Sequence, residues 1–264
     1  YFANVDVLFS LWFFYLFYWA EKGVFNRIGY DLGPGTGDVA GWMSAGGLLA
    51  LVAWGLWAGR GHLRDVVRKA LDPSCGVDDS GEMLSYRTAV FGFLLGTVFA
   101  VLWLTMAEMQ LHVAVLLLLA MYVVYVGLAK VVSESGLLYL AWTVSPQNLV
   151  KGVLGSQTIA PGSLTAMAFT DGLSAHGKGF FMSGLAQGAK MADLVRGNRR
   201  RVTLGLGLGL AVGIPLCLYL TLKWGYQYGA YNFGGTPFRS GQGPFRGAAA
   251  AILSPQGLAY KRLM

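Results

Sequence analysis

Charge is scarce in this chain. Asp, Glu, Lys and Arg make up 12% of its 264 residues, about half the share in an ordinary water-soluble domain. With 55% hydrophobic and 14% aromatic residues, too little polar surface remains to coat a globule, and a soluble domain is excluded. Cysteine is almost absent. Cys75 falls in a polar loop and Cys217 inside an apolar run, so neither a disulfide framework nor a Cys/His zinc cluster follows, and no metal or cofactor is expected. No Ser/His pairing suits an intramembrane serine protease. The acidic signatures Tyr30-Asp31 and Gly35-Thr36-Gly37-Asp38 share one loop, whereas an aspartyl intramembrane protease needs its two carboxylates on facing spans. Gly205-Leu206-Gly207-Leu208-Gly209 has a nucleotide-loop spacing, but it lies inside an apolar run with no strand before it, so that reading fails.

What the sequence has is long apolar runs. Five read as membrane-spanning helices of about 20 residues, over 3–20, 39–58, 88–106, 113–132 and 202–222. They are apolar on all faces, and lipid leaves backbone groups no partner outside the helix, so helices are expected rather than barrel strands. The net charge of +7 does not point to nucleic acid, because the basic residues gather at the ends of these runs. Arg60, Arg64, Arg68, Lys69 and Arg87 form one cluster, and Lys178, Lys190, Arg196, Arg199, Arg200 and Arg201 the other. Both loops, 60–87 and 171–201, are therefore expected on the cytoplasmic side of a cell membrane. The segment 180–195, with Phe181, Leu185, Ala189, Ala192 and Val195 at steps of three and four, reads as an amphipathic helix on that face. The stretch 226–255, Gly-rich and carrying Pro237-Phe238-Arg239 and Pro244-Phe245-Arg246, reads as external.

Between Ser133 and Thr170 the chain is apolar but punctuated by Gly136, Pro146, Gly152, Gly155, Pro161 and Gly162. A span that starts and ends on the same side needs an even number of crossings, so 133–170 reads as a re-entrant hairpin or a pair of interrupted helices. Such breaks survive at membrane depth only where protein or a water-filled cavity covers the freed backbone groups. Glu134, flanked by Ser133 and Ser135, is expected at the start of the interrupted region and is the leading candidate for a substrate or ion pathway. Its structural alternative is a headgroup-layer pair with Lys130. Asp6, beside Asn4, is a second candidate at the entrance of the first span. Glu108 with His112, and Asp171 with His176 and Lys178, are most simply solvated polar groups. Gly205, Gly209 and Gly213 fall on one helical face and are expected to pack closely against another helix.

Four short motifs carry a resemblance: Phe9-Ser10-Leu11-Trp12-Phe13-Phe14-Tyr15, Ser85-Tyr86-Arg87-Thr88-Ala89, Ser135-Gly136-Leu137 and Tyr228-Gly229-Ala230. Together they resemble a family of large bacterial polytopic membrane proteins of unassigned function, itself distantly similar to the oligopeptide transporter superfamily. The resemblance covers nearly the whole chain. It implies an internal fragment of a protein more than twice as long, in line with a chain that opens on Tyr1 and stops at Met264. At 137–144 the family is often more polar than the Leu-Leu-Tyr-Leu-Ala-Trp-Thr-Val found here.

The expected architecture is an all-α, polytopic transmembrane bundle with interrupted or re-entrant helices, a single membrane-embedded domain over 1–264, transporter-like in plan. The expected function is secondary transport of a small polar or peptide-like solute. The alternatives are a structural or accessory subunit of a larger complex and, behind it, a membrane enzyme acting on lipid-linked substrates. The expected partners are the lipid bilayer, the remainder of the same chain, the small solute and a second copy in a homo-oligomer.

Overall fold

The computed structural model describes residues 5–29, 39–137, 140, 144–174, 181–194, 199–229, 232 and 235–255. Among these residues it is all helix, without strands. The helices are α1 (Val5–Arg27), α2 (Val39–Ala58), α3 (Arg60–Leu71), α4 (Tyr86–Met106), α5 (Leu111–Ser135), α6 (Pro146–Leu154), α7 (Pro161–Ser174), α8 (Phe181–Leu194), α9 (Arg199–Tyr228) and α10 (Gly235–Leu253). Four of them, α2, α4, α5 and α9, are long and apolar enough to cross a membrane, which marks the chain as a multi-pass membrane protein. α1 is long enough too, but its Trp and Tyr side chains carry polar atoms that lower its hydropathy, and it runs on past Ala20 through Glu21 and Lys22.

α5 is the axis of the fold. Val113, Leu117, Val124 and Val132 are fully or almost fully buried, and α2, α4, α6 and α8 all pack against it. In lipid the hydrophobic effect does little to join helices, so close packing and interhelical hydrogen bonds must. Both are present. Gly127 lets α2 approach so closely that a Cβ there would lie 2.5 Å from Leu48 Cδ1. On α4, the Thr97 hydroxyl meets the Tyr122 hydroxyl of α5 at 2.8 Å, beside a ring contact of Phe93 with Tyr122 at 5.1 Å.

The helix ends are set by local chemistry. Ser85 caps α4 by accepting from the Thr88 N–H at 3.2 Å. α5 stops at Gly136, whose φ of 71° is open to a residue without Cβ. Ser145 caps α6, and Pro146 takes its first position, where no N–H is needed.

Two helices stand where loops were expected. α3 has apolar residues at 63, 66, 67, 70 and 71, a helical period hidden among basic residues. α10 overrides its glycines and prolines. Pro237 sits in the first turn, where it is tolerated, and the Ala-rich end packs on α7, with Phe245 edge-on to Phe169 at 4.9 Å and Ala248 in the core.

The loop before α4 and the basic start of α9 meet at one end of the bundle. Arg200 donates to the Asp79 carbonyl at 3.4 Å and Thr203 to the Met83 carbonyl at 3.0 Å. α8 docks at the same end as α5 terminates there: Lys190 Nζ donates to the Ser133 carbonyl at 2.7 Å and Gln187 donates to the Leu137 carbonyl. These bonds satisfy carbonyls left open at a helix C-terminus, where a cation is also favoured. The intervening loop carries Asp72 and Asp78, whose carboxyls are held below the usual range by hydrogen bonds from Ser74 and Ser80 respectively.

The strip Gly205, Gly209 and Gly213 meets no other helix among the described residues. A Cβ at any of them would meet no described atom within 4 Å, and none of the apolar stretch of α9 is buried. The close helix contacts of the described chain run through Gly127 and Gly152 instead, because those glycines lie where α5 and α6 meet the bulky side chains of α2.

Candidate functional site

The segment after α5 leaves one end of that helix, reaches the other end and returns. Its turn is fixed at the far end by Gln110, the residue before α5. The Gln110 Oε1 accepts from the Ala160 N–H at 3.0 Å, and the Gln110 N–H donates to Ser163 Oγ at 2.9 Å. Ser163 is fully buried. The return is fixed by α8 on Ser133. α5 is about 37 Å long at 1.5 Å per residue, while α6 supplies only about 13 Å and α7 about 21 Å. The climb therefore depends on residues 136–145, and the described residues among them are not helical. The pair is interrupted in the sense the glycines and prolines imply.

Inside this pair lies a polar cluster. Gln147, in the first turn of α6, is 5% exposed and donates to the Thr170 Oγ1 of α7 at 3.2 Å. Thr170 is 2% exposed and donates in turn to the Met167 carbonyl at 2.7 Å. One turn along α6 from Gln147, on the same face, is Lys151. It is half-buried, and Asp171 lies within electrostatic reach of it. Thr170 is nine residues into α7, about 13 Å along the helix from the Gln110 end. An amide and a hydroxyl thus meet between two short helices, with Lys151 one turn from Gln147 and Asp171 next to Thr170.

The residues singled out from sequence fall elsewhere. Glu134 lies in the last turn of α5, not at the start of an interrupted helix, because α5 continues to Ser135 before Gly136 ends it. Its side chain is 65% exposed and pairs with Lys130 at 3.5 Å. It therefore sits at the negative end of a helix dipole, the reverse of the stabilising N-terminal position expected of it. The Ser133 hydroxyl donates back to the Lys130 carbonyl at 3.0 Å, and Ser135 Oγ accepts from the Leu137 N–H at 3.3 Å, so both serines serve the helix end. Asp6 is exposed in the first turn of α1, where its carbonyl accepts from Ser10. Asn4 lies outside the described residues, as do Asp31, Asp38, His176 and Lys178. The structure brings none of Glu134, Ser133, Ser135 and Asp6 to the Gln147–Thr170 cluster.

Sequence reasoning passed over Lys151, although a signal existed: it is the one Lys or Arg between Lys130 and Lys178, a charge inside an apolar stretch, which is a functional flag in a membrane. Gln147 carried no such signal, since an amide beside a proline reads equally well as a helix start.

At the far end Glu108 occupies a backbone conformation that favours glycine, with φ 64°, and no other non-glycine residue among those described has a positive φ. It follows the end of α4 in a paired-bond closure, with the Glu108 N–H to the Thr105 carbonyl and the Met109 N–H to the Leu104 carbonyl, each at 3.1 Å. Its carboxylate lies beside the first turn of α7, where a Cβ on Gly162 would meet Glu108 Oε2 at 3.2 Å. The strain of about 1 kcal/mol is opposed by a charge–dipole gain of about 0.3–1 kcal/mol. Glu108→Gly is accordingly expected to leave thermal stability nearly unchanged, and Glu108→Ala, which keeps the strain and loses the charge, to lower it by about 0.5 kcal/mol. Unchanged stability in Glu108→Ala would show that the carboxylate contributes nothing. His112, in the first turn of α5, is exposed, and among the described residues no cluster suited to a metal ion occurs.

No curated protein and no solved structure matches the chain. One family model does, over residues 1–263, and it links the chain neither to oligopeptide transporters nor to bacteria. The residues it covers include every helix end and every polar contact of the interrupted pair, and the chain belongs to that family, DUF6785, a family of unknown function.

Proposed function

We propose that this protein is a secondary-transporter-like membrane protein whose solute site is formed by Gln147 and Lys151 of α6 and Thr170 and Asp171 of α7. The observation that carries this reading is the buried Gln147–Thr170 hydrogen bond between two helices too short to span, with Lys151 and Asp171 beside it in sequence. Transporters of this plan bind solutes between interrupted helices near the midplane, where backbone and polar side chains replace water. A cation and an anion held on neighbouring helices match a zwitterion, with Lys151 facing a carboxylate and Asp171 an amine. That favours an amino acid or a short peptide as the solute. The Arg60–Arg87 loop and the Arg199–Arg201 run would then face the cytoplasm.

The test uses the full-length protein in proteoliposomes with radiolabelled glycine, dialanine and trialanine. Saturable uptake of at least one is expected, and Lys151→Met should reduce it at least tenfold, about the 1.4 kcal/mol of one charge-assisted hydrogen bond. Because Lys151→Met leaves Asp171 without its nearby cation, Lys151→Met/Asp171→Asn is made alongside. It should insert and melt like the wild type yet remain inactive. Wild-type-like uptake in the double variant, or no uptake and no binding of any of the three by the parent protein, would overturn the reading.

One observation favours a second reading, a structural subunit of a larger membrane complex. α1 and α9 have no buried residue among those described, and the open glycine strip of α9 is smooth enough for another helix. Purification of a stoichiometric complex in which α9 crosslinks to a different protein, with no uptake, would establish it.

A further inference from the structure

We infer that α3 is an interfacial helix that binds anionic phospholipid headgroups of the host bilayer, with Arg60, Arg64 and Arg68 taking the phosphates and Leu63, Val67 and Leu71 seated at the acyl boundary. The two rows each advance by four residues and lie about 60° apart around the helix axis. Leu63, Val67 and Leu71 are 43%, 48% and 72% exposed, an apolar row that water does not favour. The face beside it is the one turned to protein, with Ala70 buried and the His62 ring edge-on to Tyr86 of α4 at 5.8 Å. The arginine row borders the apolar row on its other flank.

The charge pattern selects the occupant. Arg64 and Arg68 are exposed, and among the described residues neither side chain has a hydrogen bond or ion pair. Asp65 flanks the row, about 100° from Arg64 and about 60° from Arg68, and among the described residues it pairs with neither, so the row keeps an excess of positive charge. Arg60 is held at the start of the row, donating to the Trp57 carbonyl at 3.0 Å and lying 4.8 Å over the Trp57 ring. Trp57 is itself 64% exposed, at the end of the apolar helix α2, and a tryptophan beside an arginine at that level is characteristic of a membrane–water interface. Lys69, on the opposite side, is engaged with the carbonyls of Pro73 and Cys75 and takes no part. A partly basic, partly apolar helix continuous with a span and separated from it by Gly59 alone is suited to lie along the headgroup layer, where each arginine adds attraction to an anionic surface.

The experiment uses the full-length protein with Cys75→Ser and Cys217→Ser, a Val67→Cys substitution carrying an environment-sensitive fluorophore, and nanodiscs of phosphatidylcholine. Bromine-labelled phosphatidylglycerol or bromine-labelled phosphatidylcholine is added at equal mole fraction. The fluorophore should be quenched by both, and severalfold more by the anionic lipid. Arg64→Gln/Arg68→Gln should bring that ratio to about one, at roughly fivefold lost preference per arginine, and high salt should do the same to the parent. Free glycerol phosphate in detergent should leave the fluorophore unchanged, since seating requires acyl chains. A fluorophore exposed to water in both kinds of disc would overturn the inference. So would an undiminished preference in the double variant, or shielding in lipid-free detergent with crosslinking to a second copy.

Discussion

Gly152→Ala should destabilise the protein by up to about 2 kcal/mol, a steric cost of about 1–3 less about 1 gained in helix propensity, against the usual direction of such a change in a helix. Alanine is the better helix former by about 1 kcal/mol, so in open space the substitution is favourable. At Gly152 a Cβ would meet the ring of Trp42 on α2, within 2.8 Å of Cζ2 and closer still to Cη2. The ring cannot withdraw without moving from the α2–α6 contact, and overpacking of this kind costs about 1–3 kcal/mol. The steric loss wins. Gly209→Ala on α9 provides the opposite sign, because nothing described lies within 4 Å of its Cβ, and it should be neutral or stabilising by up to about 1 kcal/mol. Thermal unfolding in one detergent measures both. Trp42→Phe in the Gly152→Ala background should recover part of the loss, as expected of two residues in direct contact. A destabilising Gly209→Ala would mean that α9 packs on a helix outside the described residues.

Gln110→Leu should be the most damaging substitution at the interrupted pair. The Gln110 Oε1 holds the Ala160 N–H and, at 3.5 Å, the hydroxyl of the fully buried Ser163. Leucine keeps the volume and removes the acceptor, leaving a backbone donor and a hydroxyl without it at the end of α7, at about 1–3 kcal/mol for each group orphaned. Gln110→Glu retains an acceptor and should lie much nearer the parent. Hydrogen exchange over 155–164 should quicken in the leucine variant and not over the core of α5. Unchanged exchange in that turn would show that Gln110 does not anchor it.

The long helices were legible because an apolar run of about 20 residues has few other outcomes in lipid. Their ends were legible for a related reason. Three of the motifs behind the family resemblance are punctuation: Ser85 caps α4, Gly136 ends α5, and Gly229, with φ 81°, follows the end of α9. Residues that stop helices say where a chain turns and nothing about what it carries, which is why the resemblance implied a fold more firmly than a substrate. α3 and α10 were not legible, for opposite reasons. Positive charge drew α3 into a loop and masked its period, whereas α10 forms by packing on α7 against its local propensity. Glu134 drew attention because it was the acidic residue nearest the break. A helix-ending glycine before Glu134 would have placed it at the start of the interrupted region, but α5 runs on to Gly136, which leaves Glu134 in its last turn, paired with Lys130. The polar cluster needed tertiary contact to become visible, since Gln147 and Thr170 meet across 23 positions of sequence.

The shortness of α6 and α7 bears on how the protein is made. A translocating ribosome hands long apolar helices to the membrane one at a time, each able to leave the translocon for lipid unaided. Neither α6 nor α7 has that option, because neither crosses the hydrocarbon layer and both expose polar ends that lipid cannot satisfy. Their partners synthesised earlier are the Gln110 end of α5 and the Trp42 face of α2, and α10, synthesised later, then covers α7. Entry of this hairpin into the membrane is therefore an act of folding against a template already in place, and α2 and α5 behave as its intramolecular chaperone. A substitution such as Gln110→Leu would then show itself first in the cell, as a chain with every long helix inserted and residues 146–174 left on the surface for quality-control proteases.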